Sequence, residues 1–293
     1  MESVQLLATT YRPGIPGAPI DAAVNPTAQA IFTAICLVPA VICIGLAIKS
    51  LVKDRDTLWP IFLVGGTIGM FVEPILDYMG GVWWPVHGDW EAFRLLDVNI
   101  PVLVCFVYPW LLGGQAYYSY RSFQRGITVR KLWMLVGIFA LNDIVLETIG
   151  IRLLNVYSYF GTQPLNPWGL PLWYVPCNAV GPVVAAALFY VLRDQLRGWR
   201  VLAGVWLFPM SFVGVYAASG WPMWVSLNSE FGMLAATIAS VLVFVQAALI
   251  VMVVAKMVGA VPSTATSSPG SPPSVASADS PASPGGGIAS GSR

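Results

Sequence analysis

The sequence predicts an all-α fold, a polytopic transmembrane helical bundle with seven spans. Hydrophobic residues make up 57% of the 293 residues and charged residues only 10%, whereas a soluble domain carries about 25% charge. The apolar residues fall into runs of about 20, the length that crosses the roughly 30 Å hydrocarbon core of a bilayer. Basic residues collect at alternate ends of these runs. Together these features are typical of a multi-pass membrane protein.

The seven predicted spans follow one another within a single transmembrane domain, residues 28–258. They are about 30–51, 60–80, 100–120, 132–160, 172–192, 201–219 and 231–258. The polar, Pro- and Gly-rich residues 1–27 are predicted to form an extracytoplasmic N-terminal segment without a cleaved signal peptide. Residues 259–293 are rich in Ser, Pro and Gly and are predicted to be a disordered cytoplasmic tail.

The basic residues predict the orientation of the bundle. Ten of the 15 Lys and Arg residues lie at the ends of spans one, three and five or in the loops after them, and two more lie at the end of span seven or beyond it. Arg12, Arg94 and Arg152 are the three on the opposite side. Since loops rich in Lys and Arg stay in the cytoplasm, we expect the N-terminus outside and the C-terminus inside. The expected location is a membrane, the cell membrane if the host is bacterial.

Two pairs of acids interrupt the apolar runs. Glu73 and Asp77 in span two, and Asp143 and Glu147 in span four, are each four residues apart, so each pair shares one helix face. Ionisable groups inside a span are costly and usually functional. A rise of about 1.5 Å per residue places all four acids between the midplane and the outer surface. We therefore predict that they are catalytic residues facing one polar cavity, open to the outer side.

Polar and aromatic residues in the same half of the bundle are the candidates for contacting a substrate. Aromatic faces stabilise a developing cation, and amides orient substrate oxygens. The predicted substrate-binding residues are Asn142, Asn178, Trp83, Trp84, Trp173 and Tyr78. Structural roles stay open: outer Trp residues also serve as interfacial anchors, and Asp143 and Glu147 could be partners of Arg152 or Asn178.

Several function classes are disfavoured by what the sequence contains. A net charge of +1 gives no electrostatic basis for binding nucleic acid. The single histidine, His87, rules out a multi-histidine metal site, and no metal or cofactor is expected. No phosphate-binding, metalloprotease or nucleophile-elbow motif is present. A protonated acid beside an ionised one can instead donate and accept protons on a hydrophobic small molecule.

The order of these features resembles one family. The matching segments are Glu73-Pro74-x2-Asp77-Tyr78-x-Gly80 running into Val82-Trp83-Trp84-Pro85, Gln124-Arg125-Gly126 with Leu132-Trp133, the helix of Asp143 and Glu147, Tyr157-x-Tyr159-x-Gly161-x-Gln163-Pro164, and Pro171-Leu172-Trp173 with Asn178. Over about residues 58–215 the chain resembles the AveC-like spirocyclases, integral membrane proteins similar to the avermectin spiroketal cyclase. The resemblance implies a membrane enzyme that closes a polyketide dihydroxy-ketone into a spiroketal, with or without dehydration.

Two other functions stay open. A membrane-bound terpene cyclase, which protonates an epoxide or alkene, would use the same acids and aromatic rings. A proton-coupled small-molecule transporter belongs to a different class and would need polar groups in both leaflets. The embedded acids and amides lie in one half of the predicted bundle, which favours an enzyme. The oligomeric state is not predicted.

Overall fold

The computed structural model describes residues 17–262, so most of the predicted N-terminal segment and tail lie outside the described residues. The chain is mostly helical, in agreement with the predicted all-α class. Its α-helices are α1 Pro26–Lys49, α2 Leu58–Gly69, α3 Glu73–Gly80, α4 Val102–Tyr108, α5 Gln115–Gln124, α6 Val129–Thr148, α7 Tyr174–Val191, α8 Leu207–Val215, α9 Trp221–Leu227 and α10 Met233–Met257.

Shorter helical segments extend or join several of these helices. Four are π-helical: Ser50–Asp54, Pro109–Gly114, Ile149–Leu153 and Tyr216–Gly220. Three are 3₁₀-helical: Met70–Val72, Pro167–Gly169 and Gly198–Trp206. Because π-helical turns are rare and concentrate at functional sites, their positions matter for the site described below.

Within residues 17–262, six helical runs are long and apolar enough to cross a membrane. They are Pro26–Asp54, Leu58–Gly80, Val129–Leu153, Tyr174–Val191, Gly198–Leu227 and Met233–Met257. They correspond to six of the seven predicted spans and confirm the helices of a multi-pass membrane protein. The remaining prediction, 100–120, falls on α4, a π-helical segment and α5, where Gln115 and Ser119 interrupt the apolar residues.

Two predicted boundaries differ from the structure. The fourth predicted span extends to residue 160, but its helix ends at Leu153. Asn155 adopts a left-handed conformation with φ of 49°, which ends a helix and which Asn tolerates better than most residues. The predicted loop 220–230 contains α9, with Pro222 in its first turn, where proline favours a helix start.

Two small antiparallel sheets lie at one end of the bundle. Strand β1, Val82–Trp83, pairs with β4, Ser158–Tyr159. Strand β2, Glu91–Leu95, pairs with β3, Val98–Pro101, in a hairpin. We call this end, which also includes the 154–173 connection, the strand end. The segment 81–99, which connects the second and third predicted spans, is thus partly β-structured.

Helix α7 lies at the centre of the bundle and packs against α5, α6, α8 and α10. Away from the strand end, the core is aromatic: the ring of Phe62 lies 4.7 Å from that of Phe189 and 5.1 Å from that of Phe208. Gly65 leaves the space that Phe208 occupies, since a Cβ there would lie 2.2 Å from its ring. This apolar half holds the helices in place beneath the polar strand end.

Gly80, the last residue of α3, lies against the side chain of Tyr174, the first residue of α7. A Cβ at this position would lie 1.6 Å from the hydroxyl of Tyr174. We predict that Gly80→Ala lowers the melting temperature in detergent, because overpacking a buried site costs about 1–3 kcal/mol or more. Gly137→Ala is the matched control: it lies in α6 with nothing within 4 Å of a Cβ and should be neutral or stabilising. Equal melting temperatures for Gly80→Ala and wild type would contradict this packing.

Candidate active site

The structure brings both predicted acid pairs together near the strand end. Glu73 and Asp77 lie on α3, and Asp143 and Glu147 lie on α6. Glu73, Asp77 and Glu147 line one small cavity, whereas Asp143 lies outside its lining and is joined to it by a hydrogen bond from Asn178. Asp77 and Asp143 are each only 3% exposed. We call these four carboxyls the acid cluster.

Two aromatic side chains donate hydrogen bonds to the acids of α3. The indole Nε1 of Trp84 donates to Oδ2 of Asp77 at 2.8 Å. The hydroxyl of Tyr108, at the end of α4, donates to Oε2 of Glu73. Trp84 reaches Asp77 because Gly81, with φ of 73°, turns the chain sharply after α3, a conformation that glycine adopts without strain.

Two tyrosines of the connection after α6 turn back to Glu147. The hydroxyl of Tyr159 donates to Oε2 of Glu147 at 3.0 Å, and the Tyr157 side chain also hydrogen-bonds this carboxyl. Pairing of Tyr159 with Val82 in the β1–β4 sheet fixes the direction of this connection. Glu147 therefore collects two phenol donors, more than any other acid of the cluster receives from side chains in the described residues.

Asp143 is linked to the site through an amide. Asn178 Nδ2 donates to Oδ1 of Asp143 at 2.9 Å, and the hydroxyl of Tyr216 donates to Oδ1 of Asn178. Oδ2 of Asp143 is buried without a hydrogen-bond partner in the described residues. An unpartnered carboxyl oxygen is costly to bury. Of the four acids, Asp143 is therefore the one whose hydrogen-bonding capacity is least satisfied by its surroundings.

Three π-helical segments border this site. Tyr108 immediately precedes Pro109–Gly114, Glu147 lies two residues before Ile149–Leu153, and Tyr216 begins Tyr216–Gly220. A π-helical turn shifts the residues around it relative to an ordinary helical face. The helices thus deviate from regular geometry where they supply site side chains.

A small cavity of about 30 Å³ lies between these groups. It is lined by Glu73, Leu76, Asp77, Val82, Trp84, Glu147, Tyr157, Tyr159, Tyr174, Asn178 and Tyr216. The volume has room for about one water molecule and is far below the 300–1,000 Å³ of typical ligand pockets. Among the described lining residues there is no Lys, Arg or His, so the acids face neutral donors rather than cations.

Aromatic side chains cover the cavity at the strand end. The ring of Trp84 lies 4.2 Å from that of Tyr157, and the ring of Tyr159 lies 4.8 Å from that of Tyr174. Below them, Gln163 Nε2 donates to the Gly80 carbonyl at 2.9 Å and joins the connection to α3. We call Trp84, Tyr157 and Tyr159 the aromatic cap.

The predicted substrate-binding residues divide into two groups. Trp84 and Asn178 line the cavity and hydrogen-bond the acids. The other four lie outside its lining: Trp83 is half-buried in β1, Tyr78 and Asn142 are half-buried on α3 and α6, and Trp173 is fully buried with its Nε1 donating to Gln163 at 3.0 Å. Trp173 supports the cap rather than facing the cavity.

Five tyrosines of the site were not predicted as site residues: Tyr108, Tyr157, Tyr159, Tyr174 and Tyr216. Two of them, Tyr157 and Tyr159, share one face of an extended segment because they are two residues apart. Their spacing also belongs to the family resemblance, and it is the sequence feature from which these two tyrosines could have been predicted as site residues. The other three are single tyrosines in apolar helices. Nothing in their local sequence distinguishes them from core aromatics.

A second polar cluster lies at the strand end around Asp89. The side-chain amides of Gln29 on α1 and Asn99 on β3 both donate to its carboxyl. Oε1 of Gln29 and Oδ1 of Asn99 are buried without partners in the described residues. Burial raises the pKa of Asp89 from 3.8 to about 6, although the hydrogen bonds from Asn99 and the Trp90 backbone oppose this shift.

Comparison with known protein families, with curated proteins and with solved structures finds no match to this chain. Among residues 17–262, no group of three His, Cys, Asp or Glu side chains is arranged to hold a metal ion. Any assignment of function therefore depends on the chemistry of the acid cluster and on the sequence resemblance.

The Asp89 cluster predicts a pH-dependent stability. Because the pKa of Asp89 is higher in the folded than in the unfolded chain, its contribution to the free energy of unfolding falls as pH rises from about 4 to about 6. Asp89→Asn should remove this contribution and unfold at a higher temperature than wild type at about pH 8, with the difference shrinking towards about pH 4. Thermal unfolding in detergent across this range measures it.

Asp97→Asn, which changes an exposed acid in the turn of the neighbouring β2–β3 hairpin, is the control and should show the same pH dependence as wild type. Destabilisation of Asp89→Asn at alkaline pH would show that the ionised carboxylate stabilises the cluster, contrary to this prediction.

Proposed function

We propose that this protein is an integral membrane cyclase that performs cofactor-independent acid–base cyclisation of a polyketide-type hydroxy-ketone. The observation that carries the proposal is the meeting of three of the four predicted acids, Glu73 and Asp77 from α3 and Glu147 from α6, around one cavity lined by neutral hydrogen-bond donors. The fourth acid, Asp143, is joined to this cavity through Asn178. Cyclisation needs a proton donor and a proton acceptor on the same substrate, and paired carboxyls supply both. The resemblance to the AveC-like spirocyclases supports spiroketal formation as the reaction.

In the proposed reaction, one hydroxyl of the substrate adds to the ketone and forms a hemiketal. A protonated acid gives its proton to the hemiketal hydroxyl, which leaves as water and produces an oxocarbenium ion. The second hydroxyl attacks this carbon, and an ionised carboxylate takes its proton. One water molecule is lost overall, and the two acids exchange protonation states, so a proton must pass between them before the next turnover.

The hydrogen bonds support a division of roles. Glu147 receives two phenol donors, which favour its ionised form, and we assign it as the proton acceptor. The acids of α3, Glu73 and Asp77, line the same cavity, and we assign this pair as the proton donor. Asp143 orients Asn178 towards the cavity through the bond to Oδ1. The rings of the aromatic cap would stabilise the oxocarbenium ion.

The cavity of about 30 Å³ sets a condition on this mechanism. A hydroxy-ketone is much larger than one water molecule, so the aromatic cap must move for the substrate to enter. Of the cap residues, Trp84 directly follows β1, and Tyr157 and Tyr159 belong to the connection after α6. The two segments are joined by the two-residue β1–β4 sheet. Parting of this sheet would break the Trp84–Asp77 and Tyr159–Glu147 hydrogen bonds.

The arrangement in the membrane is also part of the proposal. We propose seven spans, with residues 102–124 as the third, the N-terminus outside and the C-terminus in the cytoplasm. The distribution of Lys and Arg supports this orientation. In this arrangement the strand end and the acid cluster face the outer side of the cell membrane, and a hydrophobic substrate would reach the site from there.

One observation favours a second candidate, a proton-coupled transporter. The cavity fits a water molecule or a proton better than a cyclisation substrate, and buried carboxyls serve as proton relays in transporters. Against it, the four acids and Asn178 all lie towards the strand end. Uptake of protons into vesicles, followed with an internal pH-sensitive dye, separates the candidates: flux that requires Glu147 would favour transport over cyclisation.

The proposed reaction predicts that Glu147→Gln and Asp77→Asn abolish turnover while the protein stays folded. We expect at least a 100-fold loss of rate, since general acid–base catalysis contributes about 10²–10⁴-fold. The measurement is the conversion of a synthetic dihydroxy-ketone to its spiroketal by purified protein, followed by mass spectrometry and chiral chromatography. Asp143→Asn is expected to lose activity as well, because Asn178 would lose its charged acceptor.

Glu91→Gln is the control, because it neutralises an exposed acid paired with Arg94 and should keep the wild-type rate. Wild-type rates in the variants of the acid cluster would contradict the assigned roles. Conversion of a polyprenyl epoxide instead of the dihydroxy-ketone would favour a terpene cyclase.

A further inference from the structure

A cleft of about 330 Å³ lies at the opposite end of α6 from the acid cluster, at the turn between α5 and α6. Its polar part contains Ser122, Arg125 and Lys131, and its apolar part contains Met134, Leu135 and Ile138. None of these residues belongs to the proposed active site. The cleft is therefore a separate feature of the molecule.

The polar part of the cleft is positively charged. Arg125 and Lys131 are both exposed, and no Asp or Glu is among the described residues that line the cleft. Within residues 17–262 the ion pairs join Arg94 to Glu91 and Arg197 to Asp194. The two cations of the cleft thus lack a carboxylate partner in the described part of the chain and can bind an anion.

The apolar part continues from Lys131 along one face of α6. Met134, Leu135 and Ile138 follow Lys131 by three, four and seven residues, the spacing of a single helix face. The face extends about 10 Å along the helix axis. Met134 is 55% exposed and Ile138 59% exposed, so this apolar surface is open along its length to whatever surrounds the bundle.

We infer that this cleft binds an anionic phospholipid, with the phosphate between Arg125 and Lys131 and an acyl chain along Met134, Leu135 and Ile138. A soluble anion would use only the two cations, and a neutral apolar molecule would use only the α6 face. An anionic amphiphile uses both, in the order in which the residues lie along the helix. Basic residues next to spans attract anionic lipids in general. Here the two cations lie in a cleft that also contains an apolar surface, so a lipid can bind at a defined position.

A neighbouring groove offers space for a second acyl chain. Tyr118 lines both the cleft and a groove of about 570 Å³ between α1, α5 and α6. The wall of this groove is mostly apolar and includes Pro39, Leu46 and Phe139, and Lys49 and Asp54 line it as well. The two chains of a phospholipid bound at Arg125 and Lys131 would then lie on either side of the Tyr118 ring. This placement distinguishes a two-chain lipid from a fatty acid.

The test is native mass spectrometry of the full-length protein released from detergent, with phosphatidylglycerol added in increasing amounts. Wild type should retain one phosphatidylglycerol molecule, and the Arg125→Gln/Lys131→Gln double variant should bind it roughly 30-fold more weakly, at about 1 kcal/mol per cation near the membrane surface. Met134→Asn should weaken lipid binding without altering the charge of the cleft.

The control is the Arg130→Gln/Arg200→Gln double variant, which removes two exposed cations that do not line the cleft and should bind phosphatidylglycerol as wild type does. Equal loss in this control would show attraction to surface charge in general and would overturn the site. Equal retention of phosphatidylcholine would overturn the role of the anion. Competition by glycerol 3-phosphate at the concentrations at which the lipid binds would show a free-anion site and overturn the role of the acyl chain.

Discussion

The structure depends on one constraint: within residues 17–262, four carboxyls are buried among apolar helices, and no Lys, Arg or His lines the cavity beside them. Charges in such surroundings are costly, and like charges raise the cost further. The chain reduces the cost with neutral donors, a Trp, several Tyr and an Asn, each placed on one carboxyl. Neutral donors stabilise a carboxylate without cancelling its charge. The acids therefore stay able to exchange protons, which a tight ion pair with Arg or Lys would prevent.

Much of the surrounding fold places these donors beside the carboxyls. Tyr108 comes from the end of α4, Trp84 from the turn after α3, Tyr157 and Tyr159 from the connection after α6, and Tyr216 from the segment after α8. Gly80 and Gly81 let α3 approach α7 and let the chain turn back over the site. The apolar half of the bundle, around Phe62, holds these helices in place. At the other end of α6, a basic and apolar cleft would anchor the same helix to a lipid.

The acid cluster was predictable because its signal is local. An i, i+4 spacing places Asp143 beside Glu147 and Glu73 beside Asp77, and the alternation of spans brings both pairs to one end. The tyrosines were not predictable, because Tyr108, Tyr174 and Tyr216 look like core aromatics until helix packing brings them to one point. The β1–β4 pairing joins residues that are 75 and 77 positions apart, and no turn signal in the sequence indicates it. The size of the cavity depends on side-chain packing, which no spacing rule describes.

The most direct test of the account is the thermal stability of isosteric amide variants of the acid cluster. If the four carboxyls are held at an energetic cost that serves proton transfer, then Asp77→Asn and Glu147→Gln should each melt at or above the wild-type temperature near neutral pH. Glu147→Gln removes a buried charge, and Asp77→Asn replaces a protonated acid with a neutral group of the same shape that keeps an acceptor oxygen. A fall in melting temperature in both variants would show that the acids stabilise the fold, and would contradict the account.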